Sequence, residues 1–315
     1  MPDLVLHRHG QVHGDLLARA TALGAIPVAV VHPCDKPSLV GALHAYELGL
    51  ITPLLVGPRD RIEAVAEQNT LDISQLEIVD APHSHASAEL AVSLARDGKV
   101  QALMKGALHT EEIMSAVVSK SDGLRTERRM SHVYVMDVPT YPKPLIMTDA
   151  AINIDPDLAT KADIIQNAID LALAIGIDAP KVALLSAVET ITPRLKSTVD
   201  AGALCKMADR GQITGGVLDG PLAFDNAISM RAVVTKNITS PVAGQADVLV
   251  APDLEAANMI AKQLMYLAGA EAAGIVLGAR VPIILTSRAD DDRTRTASAA
   301  IAALVCAARR TSAAC

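Results

Sequence analysis

Short β-branched runs alternate with longer helical stretches over almost the entire chain. The runs Ile26–Val31, Pro53–Val56, Leu76–Val79, Ala102–Met104, Val182–Leu185, Gly216–Leu218, Val248–Val250 and Pro282–Leu285 read as strands. Between them Ser38–Leu48, Asp60–Gln68, Ser84–Arg96, Ala159–Ile175 and Glu255–Leu267 carry helical patterns. Strand followed by helix, repeated, is the pattern of βαβ units and a mostly parallel sheet. The strands are continuous apolar runs, as a sheet covered by helices on both faces requires. The predicted fold class is α/β.

The alternation breaks once. Val133–Val138 and Pro144–Met147 flank Pro139-Thr140-Tyr141-Pro142, which predicts an antiparallel hairpin. A polar, charged stretch from Ser119 to Arg129 precedes it, and Gly269, Gly274 and Gly278 punctuate what reads as a crossing before the last strand and helix. The 315 residues compare with about 150 for a typical domain, so two domains are expected. Residues 1–128 with 275–315 are assigned to a discontinuous first α/β domain, and 129–274 to an inserted second one.

Composition removes several function classes. One Phe, four Tyr and no Trp could hardly furnish the aromatic platforms on which nucleic-acid bases stack. The 28 Lys+Arg against 35 Asp+Glu leave a net charge of −7, the wrong sign for a nucleic-acid footprint. Half the residues are apolar, enough for a large core and too many for a disordered chain. Cys34, Cys205, Cys306 and Cys315 are far apart and form no CxxC pair, which suits neither a zinc site nor a disulfide framework and fits a reducing compartment. The stretch from Met1 to Gln11 has no apolar h-region. No run reaches the ~18 apolar residues of a membrane span, and Ala297 to Ala308 reads as a packed helix ending in Arg309 and Arg310. A soluble, cytoplasmic protein with no membrane partner is expected.

Ligands of open α/β sheets bind beyond the carboxyl ends of the strands, and three segments put polar residues there. In Ala102-Leu103-Met104-Lys105-Gly106-Ala107-Leu108-His109-Thr110 a strand runs into a cation, a glycine and a helix start. Lys105 supplies charge, Gly106 lets backbone approach a ligand, and the helix terminus with Thr110 offers donors to an anion. The same residues also suit an ordinary turn with Thr110 as N-cap and Lys105 in solvent, and Glu111 and Glu112 disfavour a nearby phosphate. In Leu285-Thr286-Ser287-Arg288-Ala289-Asp290 a buried strand ends in hydroxyls and an arginine. Ser287-x-x-Asp290 fits a capping box, but capping does not account for Arg288 beside the positive end of a helix, whereas a bound anion does. In Leu218-Asp219-Gly220-Pro221, Asp219 ends a strand and Gly220-Pro221 turns into a helix that Asp225 or Asn226 caps; turn chemistry and function explain it equally well. Thr148-Asp149 and Asn153-Ile154-Asp155-Pro156 have the same standing.

His7-x-His9 and His83-x-His85 suit a solvated terminus and a loop better than a metal site. The sequence holds no GxGxxG, P-loop, HExxH or GxSxG motif, so hydride transfer and P-loop phosphoryl transfer lose their usual support.

Taken together, these segments resemble the phosphate acetyltransferase and phosphate butyryltransferase family. The resemblance runs over nearly the whole chain. It is carried by His32-Pro33-Cys34-Asp35, Gly49-Leu50-Ile51-x-Pro53-x-Leu55-Val56-Gly57-Pro58, Met104-Lys105-Gly106, Gly123-Leu124-Arg125, Asp219-Gly220-Pro221-x-Ala223-x-Asp225-Asn226-Ala227, Ser240-Pro241-Val242-Ala243-Gly244-Gln245-Ala246-Asp247 and Leu285-Thr286-Ser287-Arg288-Ala289-Asp290. The His-Pro-Cys-Asp opening is similar to the acyltransferase module fused to enoyl-CoA hydratase in some bacteria.

The resemblance implies a two-domain α/β fold like that of isocitrate and isopropylmalate dehydrogenases, an active site in the interdomain cleft and a homodimer. It implies the reversible conversion of acyl-CoA and phosphate to acyl phosphate and CoA by direct thiol attack in a ternary complex. No metal or redox cofactor takes part; coenzyme A, acyl phosphate and inorganic phosphate are the substrates. The family's serine-arginine pair falls on Ser287 and Arg288, with Arg288 holding phosphate and Ser287 hydrogen-bonding the reacting carbonyl or thiol sulfur. The acetyl-type enzymes carry a proposed base seven positions after that serine, but here the position is Thr294. Asp290 or a neighbour in Asp291-Asp292 would then take the base role, and Ser-Arg-x-Asp is closer to the butyryl-type branch. Lys105, Gly106, Thr110, Arg125, Asn153 and Asp219 are the expected substrate-binding positions. A thiol of pKa near ~8.5 needs a base or cation to form thiolate at neutral pH, and phosphate calls for clamps such as Lys105 and Arg288. The alternatives are a butyryl-transferring enzyme, a catalytically silent CoA- or anion-binding homologue, a decarboxylating dehydrogenase on the same fold, and a two-lobed anion receptor.

Overall fold

The structure, a computed structural model, describes residues 10–285 and 292–313. In chain order the first elements are α1 (Gln11–Ala22), β1 (Ile26–Val31), α2 (Lys36–Glu47), β2 (Ile51–Gly57), α3 (Arg59–Gln68), β3 (Glu77–Asp80), α4 (Ser84–Arg96), β4 (Ala102–Lys105) and α5 (Thr110–Val117). There follow β5 (Ser131–Asp137), β6 (Leu145–Thr148), α6 (Leu158–Ala174), β7 (Lys181–Leu185), α7 (Lys196–Asp209), β8 (Val217–Leu222), α8 (Phe224–Ile228), α9 (Met230–Thr235), β9 (Val248–Val250) and α10 (Leu254–Leu267). The chain ends with β10 (Glu271–Leu277), β11 (Ile283–Ile284) and α11 (Asp292–Ala313). The chain is α/β, as the alternation of strands and helices predicts.

Two compact units emerge. One takes His13–Arg128 and resumes at Ala273; the other holds Arg129–Ala272, joined by Val12. In the first, the strand order is β3-β2-β1-β4-β11-β10, all parallel except where β10 meets β11. In the second the order is β5-β6-β9-β7-β8, with the β5–β6 hairpin antiparallel and the other pairs parallel. The hairpin falls where the Pro-Thr-Tyr-Pro turn predicts it.

Burial explains why the strands read as continuous apolar runs. Val28, Ala29, Val30, Val31, Leu103, Ile283 and Ile284 are fully sealed from solvent, each large side chain contributing about 1.5–3 kcal/mol of transfer free energy. Helix starts follow local chemistry. The Asp35 carboxylate accepts from the Ser38 amide at 2.9 Å, Asp157 caps α6 through Thr160 at 2.8 Å, and Asp253 caps α10 through Ala256 at 2.8 Å.

Several local expectations change. The segment with Gly274 is not a crossing but the middle of β10, its amide donating to Ser298 Oγ of α11 at 3.0 Å. Its small residues carry a weak strand signal, and packing decides the matter. Asp219 does not end a strand, since β8 continues through Gly220 and Pro221 to Leu222. Neither Asp225 nor Asn226 caps the next helix: Ala223 precedes α8, and Ser229 caps α9 through the Ala232 amide. His83 and His85 lie at the start of α4 rather than in a loop, the His83 ring accepting from the Ala86 amide at 3.2 Å.

Candidate active site

In the first unit the chain passes from β1 outward to β2 and β3, while β4 lies on the other side of β1. Such a reversal opens a crevice beyond the carboxyl ends of the two central strands, the usual ligand position of open α/β sheets. Lys105 is the last residue of β4 and pairs with Val31, the last of β1. It is only 7% exposed, with Nζ 3.4 Å from the Gly106 carbonyl. A lysine simply waving in solvent is therefore not what the strand end carries.

Gly106 follows with no room to spare. Its amide donates to the Val31 carbonyl at 2.9 Å, and the Ala107 amide to that of His32 at 2.8 Å. A Cβ at Gly106 would stand 2.5 Å from Val31 O and 2.8 Å from His32 O. His32 itself adopts a left-handed backbone with φ of 56° and is buried. Its Nδ1 lies 3.3 Å from Ser87 Oγ, and that hydroxyl donates to the His83 carbonyl at 2.9 Å. With the hydroxyl proton so committed, the ring donates at Nδ1 and keeps its lone pair on Nε2. Burial first, then the Arg61 charge, holds the His32 imidazole below its ordinary pKa, so it is neutral at neutral pH.

Thr110 opens α5, but the N-cap is His109, whose amide donates to Glu112 Oε2 at 2.6 Å. Ser84 Oγ donates to the other carboxylate oxygen at 2.5 Å, and this bond chiefly holds Glu112 below the usual carboxylate range. Glu112 is thus spent on capping. Arg125 is exposed, its backbone forming an antiparallel bridge with Ala279. The register Ile283↔Leu103 and Ile284↔Met104 brings the end of β11 beside Lys105. Ser287, Arg288 and Asp290, which follow that strand, lie outside the described residues. Thr294 is in the first turns of α11, its carbonyl accepting from Ser298 Oγ at 2.7 Å.

The second unit holds Asn153 and Asp219. Asn153 sits in the loop after β6, its amide nitrogen donating to the Met130 carbonyl at 2.8 Å and to Asp149 Oδ2 at 2.6 Å. Asp219 lies inside β8, beside the register shift against β7, and accepts from the Gly220 amide at 2.8 Å. Within the first unit, then, Lys105, Gly106 and Thr110 share one strand-to-helix turn, and Arg125 stands apart in sequence and exposure.

Residue-by-residue reading of the sequence missed two features and left a third, Asp149, no better marked than an ordinary cap. His32 was visible only as part of a family motif. Asp149 is buried and accepts from His132, Ala151, Ile152 and Asn153; its position after a strand was the available signal. Glu189, Asn226 and Lys236 form a network in which the Asn226 amide and the Lys236 ammonium, the latter at 2.8 Å, donate to Glu189, and Lys236 chiefly holds that carboxyl below its ordinary range. Only the fold joins these three.

Among the described residues the thiols are not poised for covalent chemistry. Burial pushes Cys34 up, and Cys205 up to about 11, whereas a nucleophilic cysteine needs a depressed pKa. A groove of about 650 Å³ between α4 and α5 is lined by His85, Glu89, Arg96, Glu112 and Asp122 among others. Arg96 pairs with Asp122 at 3.2 Å and His85 Nδ1 lies 3.2 Å from Glu112, and the groove contains none of the expected substrate positions. Among the described residues no three His, Cys, Asp or Glu cluster as a metal site, and no helix is long and apolar enough to cross a membrane.

Comparison with known proteins places this geometry. The family model described as Phosphate acetyl/butaryl transferase matches residues 84–303. The phosphate acetyltransferase of Rhizobium meliloti is 61% identical over 295 residues, covering 94% of this chain and 93% of the relative. The phosphate butyryltransferase of Clostridium beijerinckii is 42% identical over 293 residues, 93% of this chain and 97% of the relative. A crystal structure of a branched-chain phosphotransacylase from Enterococcus faecalis superposes with a TM-score of 0.79 at 29% identity, over 89% of this chain and 99% of that one. The family match and the length of these likenesses agree with the strand-end motifs, and the chain belongs to the phosphate acetyl- and butyryltransferase family.

Proposed function

We propose that the protein is a phosphate acetyltransferase, interconverting acetyl-CoA and phosphate with acetyl phosphate and CoA. The observation that carries this is the 61% identity to a phosphate acetyltransferase over 94% of the chain. In this reading the CoA thiolate attacks the acyl phosphate carbonyl, the C–O bond to phosphate breaks, and the thiol proton passes to a base. Asp290 is that base, Ser287 hydrogen-bonds the carbonyl or sulfur, and Arg288 with Lys105 clamps the phosphate through charge. Gly106, Thr110, Arg125, Asn153 and Asp219 complete the substrate contacts. Direct transfer between bound substrates asks mainly for positioning, so no acyl-enzyme, metal or redox cofactor enters. The family resemblance also supports a homodimer, and the cysteine usage a cytoplasmic setting.

The test is release of free CoA thiol from acetyl-CoA and butyryl-CoA, with and without phosphate. Phosphate-dependent release that is faster with acetyl-CoA is expected. Faster release from butyryl-CoA would move the assignment to the butyryl branch, and no release from either would defeat it.

A further inference from the structure

The loop after β6 is built around one carboxylate. Asp149 is 4% exposed, and five donors converge on it. Oδ1 accepts from the amides of His132 at 3.2 Å, Ala151 at 3.0 Å and Ile152 at 3.1 Å. Oδ2 accepts from the Asn153 amide at 3.0 Å and from Asn153 Nδ2 at 2.6 Å. The loop is also tied to its surroundings. Thr148 Oγ1 donates to His132 O at 2.9 Å, Asn258 Nδ2 to Ala150 O at 3.0 Å, and the Leu254 amide to Ile154 O at 3.1 Å.

Two consequences follow for what this strand end can bind. Successive backbone N–H groups at a turn are the usual cradle for an anion, yet here those of Ala151, Ile152 and Asn153 are all taken by Asp149. A buried carboxylate already sits where a phosphate would have to be, so the loop repels anions. The Asn153 amide is also fixed in orientation. A carboxamide has two N–H donors and one carbonyl acceptor. Both donors are occupied, one by Met130 O at 2.8 Å and one by Asp149. Turning the amide over would set its oxygen against a carbonyl and a carboxylate. Oδ1 is therefore the only group it can offer, and among the described residues no donor meets that atom, which is not sealed from solvent.

We propose that Asn153 Oδ1 accepts a hydrogen bond from an uncharged donor of the coenzyme A substrate, an amide N–H or hydroxyl of its pantetheine arm, and that Asp149 is the positioning residue that sets this amide. The role rests on the acyltransferase activity proposed above. Phosphate is disfavoured as the partner, because it brings acceptors and negative charge to a carbonyl oxygen backed by a carboxylate.

Steady-state kinetics with acetyl-CoA, S-acetylpantetheine and phosphate test the idea on Asn153→Ala and Asp149→Ala, with thermal melting as a control. For Asn153→Ala the KM for acetyl-CoA is expected to rise about tenfold, equivalent to about 1.4 kcal/mol, with the KM for phosphate within about twofold, the loss of one hydrogen bond being of this order. S-acetylpantetheine should show the same rise, since the contact is to the arm and not the nucleotide. Asp149→Ala should reproduce the split, and the double variant should be no worse than the more severe single one. A rise in the phosphate KM instead, an effect absent with S-acetylpantetheine, or a lowered Tm with both KM values unchanged would each overturn the assignment. If the wild-type protein releases no thiol, the enzymatic reading fails by itself. Calorimetric titration with CoA then decides the contact: about tenfold weaker binding to Asn153→Ala supports it, and equal binding overturns it.

Discussion

Arginine at a strand end is an expensive choice unless something negative arrives there. In the sequence Arg288 falls four residues before the first residue of α11, and a cation ahead of a helix N-terminus is disfavoured by the dipole unless an anion joins it. On the proposed reading Arg288→Ala raises the KM for phosphate at least about tenfold, the scale of one charge-assisted bond, and lowers kcat. Phosphate saturation curves of the purified variant check this, and curves that match wild type would remove the clamp. Neighbouring positions show what single residues reveal in a sequence. Lys105 was legible as a strand-end cation, because strand and glycine flank it. Its burial was not, since β4 pairs with β1, far off in the chain. Thr110 has the composition of a cap, but His109 takes that place because Glu112 reaches back to its amide. Asp219 was misread as a strand terminus because Gly-Pro usually signals a turn, and here a register shift carries β8 through it.

Elements with strong period or strong caps were the legible ones. β1, α4 and β9 have the bounds their apolar runs and flanking residues announce. β10 was hidden by its alanines and glycine, and it exists because β11 and α11 cover it. The start of the β4–α5 turn packs closely against the end of β1. Gly106 needs not an unusual φ but the absence of a side chain, for a Cβ would press into two backbone carbonyls that cannot rotate away. Gly106→Ala is expected to cost about 1–3 kcal/mol of stability as overpacking and to displace Lys105. Urea denaturation checks the first, and a phosphate KM raised in parallel checks the second. An unchanged midpoint would show that β4 can slide away from β1.

At the scale of the molecule, α/β class and family were readable because many ordered motifs agree, while the site's hydrogen-bonding logic was not, because its partners are distant in sequence. His132 gives a global readout. It is buried, its ring Nδ1 has no hydrogen-bond partner among the described residues, and it lies edge-on to Tyr134 at 4.4 Å between centroids. Burial lowers its pKa from 6.5 to about 4, against an opposing pull from Asp149. The unfolded chain therefore takes up a proton near pH 6.5 that the folded chain refuses until about pH 4. Stability must fall as pH drops through that window, with the full loss reached below it. Denaturation midpoints of wild type and His132→Phe between these limits should diverge as pH falls, the variant being flatter; parallel curves would assign the acid sensitivity elsewhere.

The position of β11 bears on how the chain is made. Between Arg129 and Ala272 the second unit is one continuous stretch, so on the ribosome it can organise as soon as it emerges. The first unit cannot. Its β4 has one edge paired with β1 and the other reserved for Ile283 and Ile284, which are translated only after the whole of that intervening stretch. Throughout that interval the nascent protein carries an open strand edge, the feature most prone to wrong pairing. That edge closes only when β11, made directly after β10, pairs with a β4 that left the ribosome long before.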